Sequence, residues 1–166
     1  KEFNSNIKIK GICHGARNGY EQNYLMGLSD KIDAIGTDIS DTASDFENSV
    51  QWDFHDVNED WTGVHEFVYT NSLDHAWQPK IAVQTWLSQL KPNGVLIIEH
   101  TNTHGPDATS SMDPFGVPTT VMPYILTMWF GSQISIEHSA EKKSNKPYDA
   151  TLFVVKKNVE RVVALG

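Results

Sequence analysis

The sequence predicts an α/β three-layer sandwich: a mostly parallel, twisted sheet of seven strands that ends in an antiparallel hairpin. Three observations carry this reading. Short apolar runs alternate with helical patterns along the chain. The segment Ile7–Glu21, IKIKGICHGARNGYE, reads as a strand running into a glycine-bearing turn and then a helix, and the next apolar run closes on Asp38. The last two strand-like runs follow one another with only a polar link between them. A strand, a glycine turn, a helix and a strand ending in an acid is how open α/β sheets build a nucleotide pocket.

Each element has a local reason. Lys8–Cys13 is the first strand, and Asn18–Gly27 is a helix with Tyr20, Tyr24, Leu25 and Leu28 on its apolar side. Ala34–Asp38 is the second strand. Asp41–Glu47 is a short irregular helix, because Thr42, Ser44 and Asp45 are weak helix formers. Val50–His55 and Glu66–Asn71 are the third and fourth strands. Lys80–Leu90 is the clearest helix: Ile81, Val83, Leu87 and Leu90 recur at helical spacing, and Pro79 sits where a first turn tolerates proline. Lys91-Pro92-Asn93-Gly94 stops it, and the run Gly94–His100 suits a central strand covered on both faces. Asn102–Gly116 is a long polar loop, and such loops often carry function. Thr119–Phe130 is a buried helix kinked near Pro123. Gln133–His138 and Ala150–Lys156 form the hairpin, joined by polar Ser139–Pro147.

Composition narrows the function classes. At 166 residues the chain is one domain, spanning residues 1–166, with enough length for a real core. With 39% hydrophobic and 20% charged residues, it is globular. A formal net charge of −8 disfavours nucleic acid as the main partner, since phosphate binding wants a basic surface. The single cysteine, Cys13, rules out an internal disulfide and suits a reducing cytoplasm, the expected location. No apolar run approaches the roughly 20 residues of a membrane span, so no membrane partner is expected. The chain opens directly before a strand, which leaves room for it to be a piece of a longer protein.

Glycine loops differ in what they hold. A P-loop needs G-x-x-x-x-G-K-[ST], which is absent, and the dinucleotide fingerprint needs G-x-G-x-x-G. Here Gly15-Ala16-Arg17-Asn18-Gly19 leaves a three-residue gap, so a nicotinamide oxidoreductase is disfavoured. The loop suits a nucleoside ligand without tight pyrophosphate contacts.

On these residues the chain resembles the class I S-adenosylmethionine (SAM)-dependent methyltransferases, from Ile7 to Lys156. CHGARNG is similar to the family's acid-plus-glycines motif, with Gly15 and Gly19 at the outer glycine positions, Cys13 where an acid is usual and Arg17 where a middle glycine is usual. LKPNGVLIIEH is similar to its L-K-P-G-G-x-L motif. The resemblance implies SAM as cofactor, bound by Gly15, Ala16, Arg17 and Gly19. It also implies ribose binding by Asp38 with Ile39 beside it, adenine binding by Asp53 and Phe54, and Asn71 and Ser72 at the active-site edge.

Other roles stay open for several of these residues. Asp38 also suits a helix cap for Thr42 and its neighbours, and Asp56 competes with Asp53 as the adenine partner. Arg17 could pair with a ligand carboxylate or with Glu21, or point to solvent. Gly15 and Gly19 could form a simple tight turn; under the ligand reading, Gly15→Val blocks binding and leaves the fold mostly intact, whereas a fully unfolded product favours the turn. Cys13 reads as a small buried residue. Trp77 could stack on a ligand, whereas Trp86, Met122 and Met128 read as core.

Methyl transfer needs a base only if the acceptor carries a proton. His75, Asp74 and His100, at the carboxyl ends of strands four and five, are the candidates. His100 and His104 with Asp107 suggest a metal set, but His-x-x-x-His converges on a metal only in a helix, and this stretch reads as loop; no metal is expected. The function that results is SAM-dependent methyl transfer to a small-molecule acceptor. The alternative is a non-catalytic nucleoside- or SAM-binding module, motivated by Cys13 and Arg17.

Overall fold

A computed structural model describes residues 7–142 and 149–159. One seven-stranded sheet has the order β3-β2-β1-β4-β5-β7-β6. Its strands are β1 (Ile9–His14), β2 (Ile32–Asp38), β3 (Ser49–Gln51), β4 (His65–Thr70), β5 (Leu90–Thr101), β6 (Ile134–Lys142) and β7 (Ala150–Lys157). The helices are α1 (Tyr20–Leu28), α2 (Pro79–Gln89) and α3 (Met122–Phe130). Strands β1 to β5 pair in parallel, and β7 pairs antiparallel with both β5 and β6. The expected architecture, including the closing hairpin, is the observed one.

Both faces of the sheet are covered. On one, Ile12, Val68, Leu96, Ile98 and Phe153 pack with Trp86 of α2 and Met122, Leu126 and Phe130 of α3. On the other, Cys13, Ala34 and Phe67 pack with Leu25 and Met26 of α1. This is why β1, β4 and β5 read as apolar runs rather than alternating ones.

Four elements depart from the sequence reading. In α1 the expected stripe is wrong: Tyr20, Tyr24 and Leu28 are exposed, and Gln22 is the buried residue. Its amide donates to Ser49 Oγ over 2.8 Å, so a polar bond takes the place of an apolar contact. Strand β3 is three residues long because the chain turns at Asp53, whose carbonyl accepts from Asp56 N at 3.0 Å. The Lys91–Gly94 stop lies inside β5, not before it: Leu90 already pairs with His65, and a register shift precedes the Phe67–Val95 pair. Asn93 absorbs that irregularity with φ 65°, which Asn tolerates better than most residues. Helix α3 starts at Met122, with Pro123 in its first turn. Met122 is buried as expected, but Met128 is exposed. Of the Ser139–Pro147 link, Ser139–Lys142 continues β6, and residues 143–148 lie outside the described residues. Among the described residues, no helix is long and apolar enough to cross a membrane.

Candidate active site

Strand order reverses between β1 and β4, and ligands of open α/β sheets bind outside the carboxyl ends of strands at such a point. The predicted loop is there. Gly15 (φ 73°) and Gly19 (φ 74°) take left-handed conformations that favour glycine. Ala16 N donates to Thr37 O at 3.0 Å, which ties the loop to the end of β2. A Cβ on Gly15 would lie 2.2 Å from Ser72 Oγ, so the loop also packs directly on the turn after β4.

Asp38 ends β2 beside this loop. One carboxylate oxygen accepts from Ser40 N at 2.9 Å, a local turn and not the helix cap left open above, since Thr42 stands at the N-cap of Ala43–Asp45; its other oxygen makes no such bond among the described residues. Ile39 follows with its side chain largely in solvent. Ala16 is buried and packs in the core, so only its backbone can face a ligand. Arg17 is exposed and makes no ion pair with Glu21 among the described residues.

Glu21 is the residue that sequence reasoning undervalued. It lies in the first turn of α1. One oxygen accepts from Asn71 Nδ2 at 3.3 Å, and Asn71 Oδ1 accepts from Ser72 Oγ at 3.0 Å. Its other oxygen, Oε2, is fully buried with no donor among the described residues. Cys13 stands where an acid was expected, but burial, with Glu21 nearby, pushes its thiol up to about 12. It is an inert neutral thiol, and the acid beside it is Glu21 on α1.

Asp53 and Phe54 sit at the rim beyond β3. Asp53 Oδ1 accepts from both His55 N (2.9 Å) and His55 Nδ1 (2.8 Å). His55 stacks on Trp77 with ring centres 3.9 Å apart, and Trp77 keeps its outer face exposed. Phe54 packs edge-on against Trp86, and its carbonyl accepts from Trp86 Nε1. Phe54 therefore serves the core through its side chain. His14, next to the loop, is also wholly in the core and stacks on Trp86.

The predicted acceptor edge comes together. Asp74 and His75 lie in the one-turn 3₁₀ helix Leu73–His75, and His100 lies near the end of β5. His100 is buried, and its Nε2 donates to Val117 O at 2.8 Å; burial holds its ring below the usual histidine range. That ring pins the loop through its Nε2. His75 is half-exposed, with Nδ1 2.7 Å from Asp113 Oδ1. His104 Nε2 lies 3.5 Å from Asp74 Oδ2. A cavity of about 200 Å³ lies here, and Asp74, His104, Asp113 and Phe115 help to line it. Asp113 was missed because nothing in a polar loop signals which of its acids folds back onto the sheet.

No protein-family model matches the sequence, and no curated protein matches it significantly. Solved structures do match. The CurJ carbon methyltransferase is similar over 95% of this chain at a TM-score of 0.68 and 14% identity, and the chain spans only half of that protein's length. The Burkholderia thailandensis 1,6-didemethyltoxoflavin-N1-methyltransferase, solved with S-adenosylhomocysteine, gives a TM-score of 0.70 at 12% identity, over 92% of this chain and 72% of its own. The 16S rRNA (adenine(1408)-N(1))-methyltransferase of Catenulisporales acidiphilia gives 0.70 at 12% identity, over 95% and 89%. Their acceptors are a carbon centre, a small heterocycle and an RNA base, so the shared architecture does not fix the acceptor. Sheet order, closing hairpin and these similarities agree: this chain has the class I SAM-dependent methyltransferase fold.

Proposed function

We propose that this chain binds SAM at the β1/β4 switch point and transfers its methyl group to a small-molecule acceptor. The observation that carries the reading is the Glu21 carboxylate oxygen buried beside the glycine loop without a donor. A buried acceptor left unpaired costs about 1–3 kcal/mol, and the ammonium of an adenosyl amino acid would relieve that cost. The other donors and acceptors fit such a ligand. Asp38 has a carboxylate oxygen left for a ribose diol, Ile39 offers an exposed apolar face to a base, and Asp53 stands at the adenine rim. Asn71 and Ser72 join Glu21 to the end of β4 and fix the crevice floor.

SAM supplies a methyl group on a sulfonium, so the chain's contribution is position and field. The loop after β5 forms the acceptor wall. His75, held by Asp113 and open to solvent, is the side chain placed to take a proton from an acceptor hydroxyl or amine through its Nε2. Asp74 lies beside it. The net charge of −8 favours a small acceptor over an RNA.

Calorimetry with SAM, S-adenosylhomocysteine and NAD tests the cofactor half of the reading. Binding of the first two is expected, and its absence below about millimolar concentration refutes it. Asp38→Ala should weaken binding by about 1–3 kcal/mol; an unchanged affinity removes Asp38 from the site. Glu21→Gln should cost a similar amount through loss of a charge-assisted bond, while Glu21→Asp keeps part of the affinity. Equal affinity for both variants would leave the buried oxygen unexplained by this ligand. A second reading, binding without turnover, draws on Arg17 in the middle-glycine position and on the inert Cys13. Tight SAM binding with no methyl transfer across a broad acceptor panel would favour it.

A further inference from the structure

Three acids and imidazoles at the acceptor edge form a set that methyl transfer does not require. Asp74, His75 and Asp113 each bring one donor atom within 4.8 Å of the other two. Asp74 is the most telling member. Its side chain is 10% exposed, and its Oδ1 is completely shielded with no hydrogen-bond donor among the described residues. It also helps to line the cavity between the turn after β4 and the long loop. A buried carboxylate oxygen left without a donor is a position that a cation satisfies.

We propose that Asp74, His75 and Asp113 form a binding site for a divalent transition-metal ion of the zinc or manganese class. One imidazole with two carboxylates is the donor set such ions accept, whereas magnesium and calcium prefer all-oxygen shells. Around an ion at about 2.1 Å, tetrahedral ligand atoms stand about 3.4 Å apart. The present 2.7 Å between His75 Nδ1 and Asp113 Oδ1 is a hydrogen bond that the ion would replace after a shift of under about 1 Å. Met112 O also lies 3.2 Å from His75 Nδ1.

The surroundings orient these three donors. His104 Nδ1 lies 3.5 Å from Thr101 N, which places the ring proton on Nε2, and Nε2 faces Asp74 Oδ2. That arrangement leaves Asp74 Oδ1 as the ligand atom. Asp113 Oδ2 accepts from Ser110 Oγ at 3.1 Å, leaving its Oδ1 beside His75. Outer partners of this kind fix the direction of metal ligands. The site joins two separate segments: Asp74 and His75 follow β4, while Asp113 sits in the loop after β5. An ion would therefore clamp the acceptor wall to the sheet. Three protein ligands leave a position open toward the cavity, where an acceptor oxygen could bind and lose its proton more easily. In that state His75 is a ligand and not a base. The sequence pair His100 and His104 with Asp107 is not the set, because Val117 O occupies His100 and His104 serves Asp74.

The test uses the purified chain after stripping with a chelator, without any adenosyl ligand, so its outcome is separate from that of the methyl-transfer reading. Titration with Zn²⁺ and Co²⁺ should give one ion per chain at micromolar affinity or better, with visible Co²⁺ absorption bands and at least tenfold weaker Mg²⁺ binding. Asp113→Ala and His75→Ala, both at accessible positions, should each weaken binding tenfold to a hundredfold, with circular dichroism confirming the fold. His138→Ala, on exposed β6, should leave it unchanged. No Zn²⁺ or Co²⁺ binding at about 100 μM overturns the proposal. So does binding that survives the double variant His75→Ala/Asp113→Ala.

Discussion

Gly15→Val should cost the fold about 4 kcal/mol, and not merely close a ligand crevice. Two penalties add. Gly15 holds φ 73°, a left-handed conformation that a β-branched residue adopts only at a cost of about 1–3 kcal/mol. A Cβ there would also lie 2.2 Å from Ser72 Oγ and 2.4 Å from Ser72 Cβ, so the β4 turn must shift. Overpacking of that kind costs about 1–3 kcal/mol. That is a large share of a typical total stability of roughly 5–15 kcal/mol, so the variant should unfold at a much lower urea concentration. The sequence alone suggested instead that valine would block binding and leave the fold mostly intact. Urea titration of Gly15→Ala, alone and with Ser72→Gly, separates the two penalties. Ser72→Gly should relieve the clash and leave the conformational cost. A Gly15→Val chain with an unchanged urea midpoint would refute both parts of the account.

That coupling shows which parts of this protein a sequence can carry. Alternating strands and helices, the glycine loop and the closing hairpin are local patterns, and each led to the observed element. The placement of the candidate residues at the ends of strands was legible for the same reason: Asp38 ends β2, and Asp74 and His75 follow β4. What depends on contacts between distant segments was not legible. Tyr20 and Tyr24 looked apolar enough to face the core, yet α1 buries Gln22 because Ser49 offers it a partner. Glu21 lay in plain view, but only Asn71 in the turn after β4 and Cys13 in β1 give it meaning. Asp53 was expected to face a ligand and spends one oxygen on His55. Asp113 reaches the β4 turn only through the path of the long loop, which no periodicity encodes. His14 stood unremarked in the CHGARNG loop motif and proved to be the last residue of β1 and a fully buried polar core residue.

Acid should weaken this fold well before its carboxylates titrate, and His14 is the main reason. Its ring is sealed between β2, α2 and Trp86. Nε2 donates to Gln89 Oε1 at 2.8 Å, and Nδ1 accepts from the Thr37 hydroxyl at 2.7 Å. Both nitrogens of the neutral ring are thus satisfied, while a second ring proton would meet the Thr37 donor. Desolvation lowers the His14 pKa from 6.5 to about 4, partly offset by the Gln89 bond. The unfolded chain then binds more protons than the folded one between those two values, so stability rises with pH across that window and falls as pH drops through it. The full difference is about 3 kcal/mol, of which about 2 are lost by pH 5. His65, also lowered chiefly by burial, acts in the same direction. Urea midpoints at pH 7.5 and pH 5 should therefore differ clearly, with unchanged m-values. The His14 ring resonances should stay in their neutral positions until below about pH 5. Equal midpoints, or a His14 that titrates near 6.5, would mean that this ring is solvated and that the strand end beside the glycine loop is open to water.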